Sequence, residues 1–314
     1  MKLSIDSGNS LAFFLVPVLL ALISARGAFS QTADNSLIAA RVDGFEIREV
    51  RVEAYLQRTV PGWPLAKEQQ PPARAAAAEH LIKRQLVLAS LRLAGLGSTP
   101  TELEWKRDEL RAQLQRVGKT LNDHLDASNL SEEELRNDMD WELAWKKYLA
   151  RTLTAERLEQ EYRAHSRDFD GTELHVAQIL LPAEPAEAQT DGLARAEQLA
   201  QRLRRGELDW NSAVRGHSIS PSRERDGDLG WIRRQEPMPE EFSRTAFALI
   251  EGEISAPLAS KFGVHLIKCL EVRPGKLQFG DVRDEVYRVV MEAEFRRLAA
   301  EMRPKVDVWV RPRN

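Results

Sequence analysis

Cysteine is nearly missing from this sequence: Cys269 is the only one among 314 residues. One thiol excludes an intrachain disulfide framework and a zinc site built from cysteine pairs, and it is compatible with an oxidising compartment. An excess of either charge is missing too. The 45 Lys and Arg stand against 48 Asp and Glu, a net charge of −3, which argues against the strongly basic face of a dedicated nucleic-acid binder. No apolar run is long; residues 11–23, the longest, number 13. At about 1.5 Å per residue such a run covers about 20 Å of a hydrocarbon core about 30 Å thick. The six histidines show no metal-ligand spacing, and no H-E-x-x-H is present. Ser220 and His265 come without a G-x-S-x-G nucleophile elbow, so hydrolase chemistry is disfavoured. No internal repeat or low-complexity tract appears.

What is present begins with an address. Residues 1–30 read as a signal peptide: Lys2 supplies the positive start, 11–23 the apolar stretch, and Ala28 and Ser30 the small residues ahead of a cut before Gln31. The expected location is therefore exported, periplasmic or extracytoplasmic, with membrane tethering if the segment is retained.

Residues 36–47 read as two short strands around Asp43-Gly44, a strong hairpin signal. Helix signals follow. Pro71-Pro72 opens one with the stripe Ile82, Leu86, Ala89 and Leu93, stopped by Gly95 and Gly97. Thr99-Pro100-Thr101-Glu102 combines an N-cap, a first-turn proline and a capping glutamate, and leads into Leu103, Leu110, Leu114 and Val117. Ser131 caps a third helix bearing Leu135, Met139, Trp141, Trp145 and Tyr148, and Thr154 a fourth reaching about His165. Trp105, Trp141 and Trp145 are expected in the helical core, and His165 and His217 in solvent.

After Asp170-Gly171 the pattern changes to strand over 174–181, helix over 185–205, short helix over 209–214, and a polar loop over 218–228. Strand 229–232, helix 239–249 and strand 264–272 complete a small α+β segment. A helix over 279–302 with Val282, Val286, Val289 and Ala293 then precedes an alternating strand at 305–310.

Three stretches of that α+β segment stand in register with one known family. They are Ala177-Gln178-Ile179-Leu180, Gly227-Asp228-Leu229-Gly230-Trp231, and Phe262-Gly263-Val264-His265-Leu266-Ile267-Lys268, with Phe242 to Leu249 and Glu251-Gly252-Glu253-Ile254-Ser255 between the last two. Over residues 173–272 the chain resembles the parvulin family of peptidyl-prolyl cis-trans isomerases. With its flanks it looks like the SurA- and PrsA-type secreted foldases. The resemblance implies an α+β chain: signal peptide 1–30, helical chaperone-like domain 31–168, parvulin-like domain 169–275, and a C-terminal helix and strand at 276–314 that pack back on the N-terminal domain. It also implies that the strand at 305–310 pairs with the strands of residues 36–47.

Rotation about an X–Pro bond crosses a barrier of about 18–20 kcal/mol and makes or breaks no covalent bond. A protein lowers it by holding the proline ring in an apolar pocket and binding the twisted amide better than the planar one. No metal or cofactor is required. By the resemblance, Leu229, Met238 and Phe242 fall on the proline-pocket positions, and His265 on the second of two paired histidines. The first of that pair is Gln178 here, and the family's Cys-or-Asp place is Ser220. These departures carry an expected cost, looser control of the His265 tautomer and a weaker local field. Two readings stay open: an exported folding factor that isomerises X–Pro bonds in unfolded clients, and a non-catalytic chaperone that keeps the domain as a peptide-binding module. An assembly factor for one dedicated partner is a third. Arg223, Arg225, Arg233 and Arg234 leave open a preference for acidic residues beside the proline.

Overall fold

The computed structural model describes residues 37–182, 189–235 and 237–312. The expected signal segment and the opening of the helix expected over 185–205 lie outside the described residues. The chain divides into two compact units, one running to Arg157 and resuming at Tyr287, the other Leu158–Val286. Both divisions fall inside helices, Ala155–Ala164 and Phe279–Met302, whereas the joints expected after 168 and 275 lie where the sequence pattern changes between helix and strand.

In the first unit, β1 (Ile38–Val42) and β2 (Phe45–Arg48) form a hairpin. It turns on Asp43 and Gly44 with φ of 49° and 80°, the paired left-handed residues of a tight hairpin turn. The last strand, β7 (Val308–Val310), lies antiparallel on the other side of β1, giving the order β2-β1-β7. The chain's return is thus as expected, with a shorter strand, because Arg303–Lys305 is still a helical turn around Pro304. Helix α1 (Glu49–Thr59) follows β2 directly. Its N-cap, Arg48, offers no side-chain cap, so the sequence carried no start signal. The stop and cap signals elsewhere translate directly into α2 (Gln70–Leu93), α3 (Pro100–Gln115), α5 (Glu132–Thr152) and α6 (Ala155–Ala164). Thr99 with Glu102, and Ser131 with Glu134, form reciprocal capping boxes, which satisfy otherwise orphaned N–H groups. A third box, Thr120 with Asp123, starts α4 (Leu121–Ser128), an element absent from the sequence reading.

Three side chains expected in the core are at the surface. Leu93, Val117 and Trp105 are exposed; the first two sit at or beyond helix ends, and Trp105 lies off the Leu103–Leu110–Leu114 face. Trp145 is buried and stacks on Trp141. On α11 (Phe279–Met302), Ala293 is also exposed. The buried face steps instead from Val286 to Val290, Glu294 and Leu298, the four-residue spacing of one helical stripe. Charges are buried between these helices as well: Asp138 on α5 accepts from Arg51 at 2.6 Å and from the buried Arg84 at 2.7 Å.

The second unit begins within α6 and continues through α7 (Ser166–Phe169). It is built on the antiparallel sheet β4-β3-β6-β5, made of β3 (Glu173–Leu181), β4 (Asp228–Arg233), β5 (Leu258–Ser260) and β6 (Gly263–Arg273). Alternation along the strands splits the core in two. Ala177, Ile179 and Leu266 pack on α8 (Gln189–Arg204) and α9 (Trp210–His217). Leu174, Val176, Ile267 and the free Cys269 pack on α10 (Glu240–Phe247) through Phe242, Ala246 and Phe247. Cys269 therefore serves as a small core side chain.

Candidate active site

The site lies on the α10 side of the sheet. Pro239 caps α10, whose first turn carries Glu240 and Glu241, acidic residues suited to a helix N-terminus. The spacing of Phe242, Ala246 and Phe247 turns one face onto the strands. Phe242 is buried, and Leu229 and Met238 are half-buried against the same cluster. The three expected pocket residues thus come together, two of them reaching solvent. Leu258, which the sequence reading passed over, joins them; it lies directly opposite His265 in the β5–β6 ladder.

Leu229 owes its position to a break in pairing. Val176 faces Gly230 and Ala177 faces Asp228, so Leu229 is skipped by the β3–β4 ladder, a bulge that re-aims a side chain. The loop before it is docked on β3 by the Gln178 N–H donating to Gly227 O at 2.9 Å. Gly227 has φ of 84°, and a Cβ there would run into the carbonyl oxygen of Gln178. Only glycine permits this approach.

Beneath the apolar wall runs a chain of polar contacts. Ser260 Oγ lies 2.7 Å from His265 Nε2, and His265 Nδ1 lies 2.9 Å from Gln178 Oε1. Gln178 Nε2 donates to Ser220 Oγ at 3.1 Å, which is 2.9 Å from Ser222 Oγ. The Ser222 N–H also donates to Ser220 Oγ at 3.2 Å. An amide oxygen only accepts, so Nδ1 of His265 carries the proton and Nε2 accepts from the Ser260 hydroxyl. The tautomer is set from both sides, contrary to the looser control expected of glutamine. The reason is Ser220, which engages the amide nitrogen and so turns the oxygen to the ring. His265 and Gln178 are both buried. Burial holds the His265 pKa below the usual histidine value, leaving the ring uncharged at neutral pH. Its edge meets Phe242 in a T-shaped contact, with centroids 5.8 Å apart, joining the polar chain to the apolar wall.

Ser222 and Ser260 belong to this chain and were not singled out from the sequence. Ser220-Pro221-Ser222 was legible as a turn, but the partners of either serine depend on strand register. Three of the four arginines expected near the site are engaged elsewhere. Arg223 donates to Arg215 O, Arg233 to Glu173 at 2.9 Å, and Arg234 pairs with Glu240 at 2.7 Å and Asp168 at 3.3 Å. Among the described residues, no group of three or more His, Cys, Asp and Glu is arranged to hold a metal ion.

An apolar floor with an uncharged, hydrogen-bonded imidazole beside it can hold a proline ring and meet an amide stripped of water.

The segment that carries this geometry resembles known proteins. Residues 178–271 match the family model described as Rotamase, PPIC-type PPIase domain. Chaperone SurA of Polaromonas sp. is 34% identical over 119 residues, 38% of this chain and 25% of the relative. Chaperone SurA of Shigella flexneri is 31% identical over 141 residues, 45% of this chain and 33% of the relative. The chain spans a third or less of the length of these curated relatives. Among solved structures, peptidylprolyl isomerase PrsA from Bacillus anthracis is 18% identical with a TM-score of 0.38, covering 72% of this chain and 94% of that one. Residues 178–271 thus resemble a PPIC-type PPIase domain, in a chain that resembles the SurA chaperones.

Proposed function

Taking the parvulin-type character of residues 178–271 as premise, we propose that this protein is an exported folding factor that binds unfolded, proline-containing polypeptides and isomerises their X–Pro bonds. The observation that carries the reading is the contact between the two halves of the site: Phe242, in the wall shared with Leu229 and Met238, meets a His265 ring whose tautomer Gln178 and Ser260 set. In this reading the proline ring sits on Leu229, Met238 and Phe242. The neutral imidazole and its neighbours, Gln178 and Ser220, favour the twisted amide over the planar ones by fixed dipoles rather than proton transfer. The test is acceleration of cis-trans exchange in a short prolyl peptide, with Met238→Ala and His265→Ala as controls. A wild-type rate no higher than the controls would sink the enzymatic reading.

A second reading, chaperone action without catalysis, draws on the other unit. There a cavity of about 810 Å³ is lined by Tyr55, Leu56, Val60, Leu65, Ala77 and Phe295 among others, an apolar surface suited to an unfolded segment. It predicts that suppression of aggregation survives His265→Ala and is lost in Ala76→Lys, a change at an exposed position of the cavity wall. Export rests on residues 1–30 alone; no helix among the described residues is long and apolar enough to cross a membrane.

A further inference from the structure

His175 lies three residues before Gln178, on the strand face opposite the polar chain, and takes no part in that chain. Its surroundings are nevertheless specific. In the β3–β4 ladder it stands directly opposite Trp231, and the two rings stack at 5.3 Å with an interplanar angle of 28°. The Arg273 guanidinium covers Trp231, 3.6 Å from the ring centroid. Held this way, His175 reaches Asp228 with Nε2 2.8 Å from Oδ1. The same Oδ1 accepts the Gly230 N–H at 2.6 Å.

Asp228 and Gly230 flank Leu229, the residue that the ladder skips. A bulged residue has no cross-strand partner to fix its direction, so something else must. Gly230, with φ of 80°, supplies the bend but no side chain to hold it. The Asp228 carboxylate closes the turn over Leu229 through Gly230, and His175 ties that carboxylate to β3. Burial opposes the charge on Asp228, but the Gly230 N–H and His175 outweigh it, so the carboxyl titrates below its ordinary range. The acceptor therefore stays ionised, and the bond to His175 is charge-assisted.

We propose that His175 is a positioning residue of the proline site, acting through Asp228 to hold the Leu229 bulge against Met238 and Phe242. This inference rests on the reading of Leu229 as a pocket wall and assigns His175 no contact with substrate. A wall that grips the proline ring equally in planar and twisted states contributes uniform binding. Loosening it raises KM and the peptide Kd and leaves kcat unchanged.

Two variants separate the hydrogen bond from the stack. His175→Phe keeps a ring against Trp231 and removes the donor, whereas His175→Gln supplies an N–H donor without an aromatic ring. Full-length protein is titrated with a short prolyl peptide, followed by the Gly230 amide resonance and by exchange kinetics, with thermal unfolding as the check on folding. His175→Phe is expected to weaken peptide binding about fivefold to tenfold, the range for losing one hydrogen bond of ordinary net strength, because this pair is partly open to solvent. It should also shift the Gly230 amide and leave kcat and the unfolding temperature near wild type; His175→Gln should restore binding to within about twofold. Wild-type affinity in His175→Phe, or a His175→Gln no better than His175→Phe, overturns the inference while leaving the site reading intact. A wild-type protein that binds no prolyl peptide overturns both. Binding that follows this pattern without any rate acceleration supports the inference and removes only the catalytic claim.

Discussion

His265 and Gln178 stand diagonally across the β6–β3 pair, His265 opposite Leu180 and Gln178 opposite Ile267, with Nδ1 and Oε1 2.9 Å apart. Side chains two positions offset on one sheet face are within reach of each other, so register brings the pair together and Ser220 orients the amide. Replacing Gln178 by Leu removes both of its bonds, one to the ring and one to Ser220. Gln178→Leu should lower kcat/KM for a prolyl peptide about tenfold or more, since a buried partner is left unsatisfied. Gln178→His should retain most of the activity. Peptide exchange kinetics on the two variants checks this.

Phe242 and Met238, proposed to hold the proline ring, differ in burial, and the difference should separate stability from binding. Phe242 is core, so Phe242→Ala should cost about 3–5 kcal/mol of folding stability. Half-buried Met238 should cost under about 2 kcal/mol as Met238→Ala while weakening peptide binding. Denaturant unfolding beside peptide titration distinguishes the two.

Acid should destabilise the protein through histidines kept neutral. His80, stacked between Tyr55 and Phe295 at 4.9 and 5.5 Å, has its pKa lowered from 6.5 to about 4 by burial first and then by Arg84, Lys83 and Arg58. His124 and His265 shift in the same direction, again from burial. Below the unfolded value the unfolded chain binds protons that the folded chain does not. The contribution of the neutral rings is therefore complete above about pH 6.5 and is lost as the pH falls toward about 4. Denaturation midpoints measured across that range should fall with pH, and His80→Phe should flatten part of the slope.

Asp138 anchors two guanidinium groups, and Arg84 beside it is buried. Arg84 and Arg51 hold the Asp138 carboxyl below its ordinary range against the opposing effect of burial. Asp138→Ala leaves Arg84 uncompensated and should cost about 3–5 kcal/mol, read from urea unfolding.

The closing strand offers a test at single-residue resolution. Arg311 N–H donates to Ala39 O and Asp43 N–H to Asp307 O. By antiparallel alternation, Trp309 therefore exchanges its bonds with Arg41 while Val308 and Val310 point theirs outward. Trp309→Pro should destabilise the first unit clearly more than Val310→Pro, a contrast that thermal unfolding of the two variants would reveal.

The caps at Thr99, Ser131 and Thr154, the turn at Asp43-Gly44 and the apolar strands at 174–181 and 264–272 are signals between residues a few positions apart. Short-range sterics and hydrogen bonding determine them, so they were legible in the linear sequence. That Leu229, Met238 and Phe242 pack in one cluster was legible through the register of motifs. The failures share one cause. Leu93, Val117, Trp105 and Ala293 fit a helical period, but which face meets a neighbour depends on the neighbour. Helix α1 had no cap to announce it, and β5 was too short to show alternation. Ser222, Ser260, Leu258 and His175 have partners fixed only by strand pairing and by the bulge at Leu229. Sequence alone thus determined most of the elements and the chemical types at the site. The tertiary structure decided that Ser220 would turn the Gln178 amide toward His265, because a hydrogen bond between residues 42 positions apart exists only once β3 and the loop after α9 have been brought together.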